Sequence, residues 1–473
     1  MGRRAQQTTW PVGLTGARRT RGGPAGNNEG NVSAPPGLAA RLLAHRLIGG
    51  VLVDRQPLEG VLAREFARPA NAALEARDRA FARSLASTVL RRQGELELVL
   101  GTFLERPLPK ESAGVRTILL AGAAQLLCLE TPPHAAVGLA VEAVRRERGA
   151  ASFAGLANAV LRRVAAEGRA ILESRDRSEL NIPRWLMERW RATYGNDTAH
   201  NIAKASLREA ALDISLKQEA DAGLWVEKLG GTLLPTGSIR RPADGRIEDL
   251  PGYEEGAWWV QDAAAALVAR IAGDVAGRTV ADLCAAPGGK TAQLASAGGI
   301  VTAVDVSPKR LERLDANLRR LGLSAEVVTA DAATWRPERT FDVVLLDAPC
   351  TATGTIRRHP DILRLKLAED IGRLATQQAA MLANAAHLVQ PGGTLVYSTC
   401  SLEPEEGQER IEAFLHGNQD FQRQPISASE FGGDSAWITP RGDVRTLPIH
   451  LEITPWELSG IDGFFIARLQ RHR

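Results

Sequence analysis

Cysteine is scarce in this chain, with four residues in 473. They are widely spaced and form neither a disulfide framework nor a C-x-x-C metal pattern, so neither a disulfide-stapled secreted scaffold nor a thiolate metal site is expected. Long apolar runs are absent as well: no segment reaches the roughly 18 residues of a membrane span, and no membrane partner is expected. Targeting motifs fail in the same way. A twin-arginine signal would need an apolar stretch after Arg3 and Arg4, and myristoylation would need Ser or Thr where Gln6 stands. The resulting expectation is a reducing, cytoplasmic address. Hydrophobic residues at 44% and charged residues at 24% exclude a fibre and a long disordered chain. Two to four domains fit this length. The net charge is only +3, but the 58 Lys and Arg are mostly arginine, and local arginine clusters can hold phosphates without an extreme overall charge.

Composition and periodicity divide the chain into four parts. Residues 1–36 are rich in Gly, Pro, Thr and Asn, with Arg3, Arg4, Arg18, Arg19 and Arg21 against the single acid Glu29, which reads as a disordered basic tail. Residues 37–170 carry apolar residues three and four apart in Ala39 to Val53, Asp78 to Leu98, Val115 to Leu129 and Ala135 to Arg148, so an all-α bundle is expected. Within it, His134 follows two prolines and reads as a helix cap. Residues 175–255 open with Trp185, Arg189, Trp190 and Arg191 in a helical stretch and continue into the strand-like run Ala211 to Leu216, a small α+β connector. Aromatic residues beside arginine can stack bases, and core packing is the equal alternative. Residues 256–473 alternate strand and helix as an α/β domain. One chain carries every part needed, so a monomer is expected.

The α/β domain holds the chemistry. Thr279 to Leu283 reads as a strand that runs into Cys284-Ala285-Ala286-Pro287-Gly288-Gly289-Lys290-Thr291 and then a helix. Small residues there let the backbone approach a ligand, and the helix start favours negative charge. A phosphate loop would need Gly where Cys284 stands, and no Gly-x-Gly is present, so ATPase and dehydrogenase chemistry are excluded. The next strand, from Ile300, ends at Asp305, about 20 residues past the glycine turn, the spacing at which an acid holds a ribose diol. Third and fourth strands end near Asp331 and at Asp347, and a fifth runs from Gly392 to Cys400.

Two of the four cysteines lie at such strand ends. Cys128, inside an apolar helical run, reads as a small core residue. Cys350, in Asp347-Ala348-Pro349-Cys350, and Cys400, in Ser398-Thr399-Cys400-Ser401, sit instead where ligands bind in open α/β sheets. Attack on a pyrimidine ring needs a soft nucleophile, and a second group must take a proton before the adduct collapses, so this pair suggests covalent chemistry on cytosine.

Several segments of the bundle resemble the antitermination-factor NusB family: Asp78-Arg79-Ala80-Phe81-Ala82-Arg83, Thr131-Pro132-Pro133-His134-Ala135-Ala136-Val137 and Phe153 to Arg162. That resemblance implies RNA binding, while Arg79, Arg83, Arg162 and Arg163 fit equally a solvated helix face. The chain after residue 37 resembles the S-adenosylmethionine-dependent RNA cytosine-5 methyltransferases, in particular the ribosomal small-subunit RNA methyltransferase B family (Sun/Fmu). The specific matches are the turn 284–291, Asp347 to Thr355, Arg357-Arg358-His359-Pro360-Asp361, Tyr397-Ser398-Thr399-Cys400-Ser401 and Asp462 to Ala467. Thr351 departs from the serine more common there and keeps the hydroxyl.

The resemblance implies a Rossmann-like class I methyltransferase domain. It implies S-adenosylmethionine held by Cys284, Ala285, Ala286, Pro287, Gly288, Gly289 and Lys290 with Asp305, Asp331 and Asp347, and no metal. Asp305 would take the ribose hydroxyls, Asp331 the adenine edge, and Asp347 the space between methionine and target base. Cys400 would be the nucleophile that adds at C6, and Cys350 would release the product. The implied substrate is a single-stranded or loop cytosine of 16S (small-subunit) ribosomal RNA, since the base must be unstacked to be reached. A free thiol titrates near about 8.5 and needs activation; Lys290 and Arg357 are the candidate cations. The alternatives are the same chemistry on transfer RNA or another RNA, and a non-catalytic NusB-like RNA-binding or antitermination protein, which predicts loss of Cys400, Asp347 or the glycine turn. All three are intact.

Overall fold

Apolar spacing in the first half generates ten helices. In the computed structural model, which describes residues 35–173 and 175–473, they are α1 (Leu38–Leu52), α2 (Leu58–Phe66), α3 (Pro69–Ala72), α4 (Ala76–Phe103), α5 (Ala113–Leu127), α6 (Pro133–Arg146), α7 (Ala154–Glu173), α8 (Arg177–Asn181), α9 (Arg184–Tyr194) and α10 (Asn196–Ser206). All but residues 35 and 36 of the expected basic tail lies outside the described residues. In α1 the stripe Leu43, Leu47, Ile48 and Val51 is wholly buried and joins Leu85, Val89, Leu119 and Leu161 in one bundle core. Cys128 packs against that core. Arg79 is turned onto the carbonyls of Ala72 and Leu74, whereas Arg162 and Arg163 face solvent. His134 is not the cap expected of it: Pro132 is the N-cap residue of α6, Pro133 occupies the first helical position, and no side chain caps the end.

Helices α9 and α10 do not close on the bundle. Trp190 is 1% exposed and sits with Leu186, Ile202 and Ala203 against Ile356, Leu363 and Leu402 of the α/β domain. Its indole NH donates to Glu403 Oε1 at 3.3 Å. Base stacking is thereby excluded for Trp190, and Trp185 packs against the same cluster. The connector is a four-stranded antiparallel sheet in the order β2 (Thr232–Leu233), β3 (Ile239–Arg241), β1 (Leu212–Leu216), β4 (Trp258–Val260), with α11 (Ala222–Leu229) beside it. The sheet therefore extends past residue 255.

The α/β domain follows, with α12 (Ala263–Ile271), β5 (Thr279–Leu283), α13 (Gly289–Ser296), β6 (Ile300–Asp305), α14 (Pro308–Leu321), β7 (Glu326–Thr329), β8 (Phe341–Asp347), α15 (Ile362–Leu365), α16 (Ala368–Leu388), β9 (Val389–Thr399), α17 (Gln408–Gly417), β10 (Phe421–Arg423), β11 (Val444–Arg445) and β12 (Phe465–Arg471). Strand order is β10-β12-β9-β8-β5-β6-β7, with β11 paired to β12. Every expected strand is present, and β5 to β9 are parallel. Beyond them β12 lies antiparallel between β9 and β10. Register sets Leu283 beside Val304 and Leu346, and Asp347 beside Ser398, so four strand ends meet where the connections diverge from β5 to either side. That switch point is where open sheets bind ligands.

Residues 357–361 join the parts. Arg358, largely buried, pairs with Asp213 of the connector and with Asp262 and Asp462, while Asp361 accepts from the Leu58 amide of the bundle at 3.0 Å.

Candidate active site

Asp347 closes β8 and is held by both neighbours. Ser398 Oγ donates to its Oδ1 at 2.9 Å and Lys290 Nζ to its Oδ2 at 2.8 Å. Lys290 opens α13 directly after the glycine turn, so the turn aims one ammonium at the end of β8. Burial by itself would lower the Lys290 pKa; the charge and hydrogen bond of Asp347, with Asp282 and Cys400 nearby, carry it above the ordinary value. Lys290 is thus a cation fixed on Asp347.

The two strand-end thiols meet. Cys350 Sγ and Cys400 Sγ are 3.4 Å apart, both partly buried and both free. Their loops are tied by backbone, with Gly354 N donating to Cys400 O at 3.0 Å and Gly463 N to Gly354 O at 2.9 Å. The thiol of Cys350 is pushed well up by its hydrogen bond to Cys400 and by burial. Either sulfur can be the donor of this contact. Arg357, the other candidate cation, is turned away: it donates to Ser459 O at 3.3 Å, and its own carbonyl accepts from Arg91 at 3.0 Å.

The glycine turn leaves β5 at Cys284, where φ is +61°, and reaches +103° at Gly288, where a Cβ would come within 2.9 Å of Leu314. Burial, with Asp347 and Asp305 adding, raises the Cys284 thiol far above its usual range, so it stays neutral. A cavity of about 490 Å³ runs along residues 284–290 and is bounded by Trp259, Gln261, Asp282 and Asp347. Asp305 and Asp331 lie outside that lining. Asp305 instead accepts from the amides of Ala286 at 3.2 Å and Ser307 at 3.0 Å, with Arg310 at 3.3 Å. Asp331 is exposed past β7 and accepts from Ala333 N at 2.9 Å. The structure therefore brings Asp347, Lys290, Cys350, Cys400 and the turn together, links Asp305 to the turn through Ala286, and leaves Asp331 further out.

Asp282 was not among the expected residues. It is fully buried, accepts from Thr291 Oγ1 at 2.6 Å through one oxygen, and has no partner for the other. Burial raises its pKa to about 7 against the opposing pull of Thr291 and Lys290, with Asp347 and Asp305 pushing the same way as burial. The sequence signal was available: a carboxylate inside the apolar strand Thr279 to Leu283. Among the described residues no cluster could hold a metal ion, and no helix is long and apolar enough to cross a membrane.

Sheet order, switch point and glycine turn define a class I, S-adenosylmethionine-dependent methyltransferase. Residues 273–470 match the 16S rRNA methyltransferase RsmB/F family model and residues 38–166 the NusB family. Ribosomal RNA small subunit methyltransferase B of Xanthomonas campestris is 36% identical over 85% of this chain and 92% of its own length, and that of Sodalis glossinidius is 36% identical over 91% and 97%. The chain belongs to the ribosomal RNA small subunit methyltransferase B family. The crystal structure of PH0851 shares the fold at TM-score 0.72 and 22% identity, covering 93% of this chain and all of its own. NSun6 from Pyrococcus horikoshii follows at TM-score 0.51 and 20% identity over 62% of this chain and 98% of its own.

Proposed function

We propose that this chain methylates C5 of a cytosine in 16S small-subunit ribosomal RNA through a covalent Cys400 adduct. The observation that carries the reading is the Cys350–Cys400 contact of 3.4 Å beside the Asp347–Lys290 pair. The substrate follows from what the relatives are named for, with the NusB-like bundle as the RNA-holding part. We assign residues 37–170 to that bundle, 175–255 together with β4 (Trp258–Val260) to the connector, and the chain from there to 473 to the catalytic domain. Reduced thiols so close together suit the cytoplasm, and one chain suffices as a monomer.

The cavity fits the cofactor. A buried carboxylate oxygen of Asp282 without a partner, a turn free of large side chains and the Lys290 ammonium suit the zwitterionic end of S-adenosylmethionine. In our reading residues 284–290 and Asp347 line its methionine end, Asp305 the ribose and Asp331 the adenine edge. Bound there, the cofactor supplies an electrophilic methyl group on a sulfonium.

Cytosine C5 is too poor a nucleophile on its own. Cys400, reacting as the thiolate, adds to C6 and makes C5 enamine-like. Asp347 is poised near ring N3, and the Lys290 ammonium it holds offsets the charge pushed onto the base. After methylation the C5 proton must leave before the Cys400–C6 bond breaks and Cys400 departs as thiolate; Cys350 relays it, passing its own thiol proton to water as it accepts the one from C5. The test is labelled methyl transfer to unmodified small-subunit RNA, with 5-methylcytosine mapped. Cys400→Ala is expected to be inactive and Cys350→Ala to accumulate a protein–RNA adduct. Methylation of transfer RNA alone would overturn the substrate, and an active Cys400→Ala the mechanism.

A further inference from the structure

Neither cysteine motif explains what holds the two sulfurs 3.4 Å apart. The residue after each thiol points to the answer. Thr351 N donates to Glu406 Oε1 at 3.0 Å and Oε2 at 3.2 Å, Thr351 Oγ1 bonds Oε2 as well, and Ser401 Oγ donates to Oε2 at 2.5 Å. Gln378 on α16 completes the set, giving its amide NH₂ to Glu406 Oε1 and to Pro349 O, both at 3.0 Å. The Glu406 main chain is fixed too, because its carbonyl accepts from Tyr397 OH at 2.9 Å and Thr399 Oγ1 at 3.1 Å. Glu406 is wholly buried. Its carboxylate has only neutral donors around it in these contacts, and a buried charge of that kind is costly unless every lone pair is used.

We propose that Glu406 is the positioning residue of the thiol pair: its carboxylate bridges the residue after Cys350 to the residue after Cys400 and so fixes how one base is shared between the two sulfurs. The inference rests on the two-thiol reading above. The hydrogen-bond partners of the Glu406 carboxylate include neither sulfur, and Glu406 is not among the residues that line the cavity assigned to the cofactor. Its negative charge is also among the causes that keep the Cys350 proton in place.

The experiment is steady-state methyl transfer by the full chain, read as separate kcat and KM for S-adenosylmethionine, for wild type, Glu406→Ala, Glu406→Gln and Thr351→Val. A displacement of about 1 Å at reacting groups costs about 100-fold, so Glu406→Ala is expected to lose about that factor in kcat while the cofactor KM stays within about twofold. Glu406→Gln keeps one oxygen for Thr351 N and Gln378, and its amide can donate to the two hydroxyls, so it recovers to within about tenfold of wild type. Thr351→Val keeps shape and volume and removes one bond to the carboxylate; it is expected to lose about tenfold in kcat, and it carries the test should Glu406→Ala not fold. The inference is overturned if folded Glu406→Ala, or Thr351→Val, turns over within about threefold of wild type. A Glu406→Ala loss that appears in KM as much as in kcat and is not relieved by Gln also overturns it, since that marks a general structural role. Cys400→Ala, run in parallel, separates the two levels: if it still methylates, the two-thiol reading falls and the inference with it, whereas an inactive Cys400→Ala beside normal Glu406 variants removes the inference alone.

Discussion

Replacing Gly354 by alanine sets a methyl group where the main chain of Gly463 already lies. A Cβ at 354 would stand 2.0 Å from Gly463 O, 2.6 Å from its carbonyl carbon and 2.8 Å from its Cα. Close carbon–oxygen contacts begin at about 3.3 Å, so the two segments must separate by about 1.3 Å from the 2.0 Å starting point. No flexible side chain can absorb the shift, because every atom met is backbone. Gly354 also donates to Cys400 O, and Gly463 to Gly354 O, so the displacement reaches the peptide of Cys400, the proposed nucleophile. Overpacking of this kind costs about 1–3 kcal/mol of stability, and a displacement near 1 Å at reacting groups costs about 100-fold in rate. Single-turnover methyl transfer at saturating cofactor should therefore fall about 100-fold in Gly354→Ala, with cofactor affinity by calorimetry changed little. Gly463→Ala is the internal comparison. Its Cβ meets chiefly Leu402 Cδ2, at 2.4 Å, with Gly354 Cα at 3.0 Å. A side-chain methyl can rotate away, and the loss should be smaller. Equal rates in Gly354→Ala and wild type, or a larger loss at 463 than at 354, would refute this reasoning.

Asp282 gives a pH prediction. Its folded pKa of about 7 lies above the unfolded carboxylate value of about 3.9. The folded state thus binds that proton more tightly, so the stability it contributes is full below about pH 4 and is lost as pH rises through about 7, by as much as about 4 kcal/mol. Asp282→Asn keeps an acceptor for Thr291 and does not titrate; urea denaturation of the cofactor-free protein between pH 4 and 8 should lose this slope, and an unchanged slope would reject the assignment. Arg189→Ala removes 2.6 Å bonds to Glu403 and Glu405 and leaves the buried Glu403 with Trp190 and Thr353 alone. It should cost about 2–3 kcal/mol in denaturant unfolding, and it should slow methyl transfer because α9 grips the loop after Cys400; full activity in this variant would show that the grip does not reach the thiol.

How much of this could be read from the sequence depends on how local each signal is. Strands β5 to β9 were legible because apolar runs ending at an acid or a Thr-Cys turn carry their own boundaries. β12 was not. Phe464-Phe465-Ile466-Ala467 reads simply as an apolar run, and its insertion between β9 and β10 depends on pairing with Tyr397 and Ser398, which no local pattern encodes. The same limit explains the site. Asp347, Cys350 and Cys400 announce themselves at strand ends, but the choice between Lys290 and Arg357 as the nearby cation turns on direction: one starts a helix aimed at β8, while the other is consumed by Ser459. Glu403-Pro404-Glu405-Glu406 looks like a solvated acidic run, yet Glu403 and Glu406 are buried, one gripping α9 and the other both thiol loops. Reacting atoms can be found from short motifs because chemistry needs particular side chains. The groups we propose to hold those atoms at 3.4 Å are defined only by burial and hydrogen bonding across residues 351, 378, 401 and 406, so they become visible only in three dimensions.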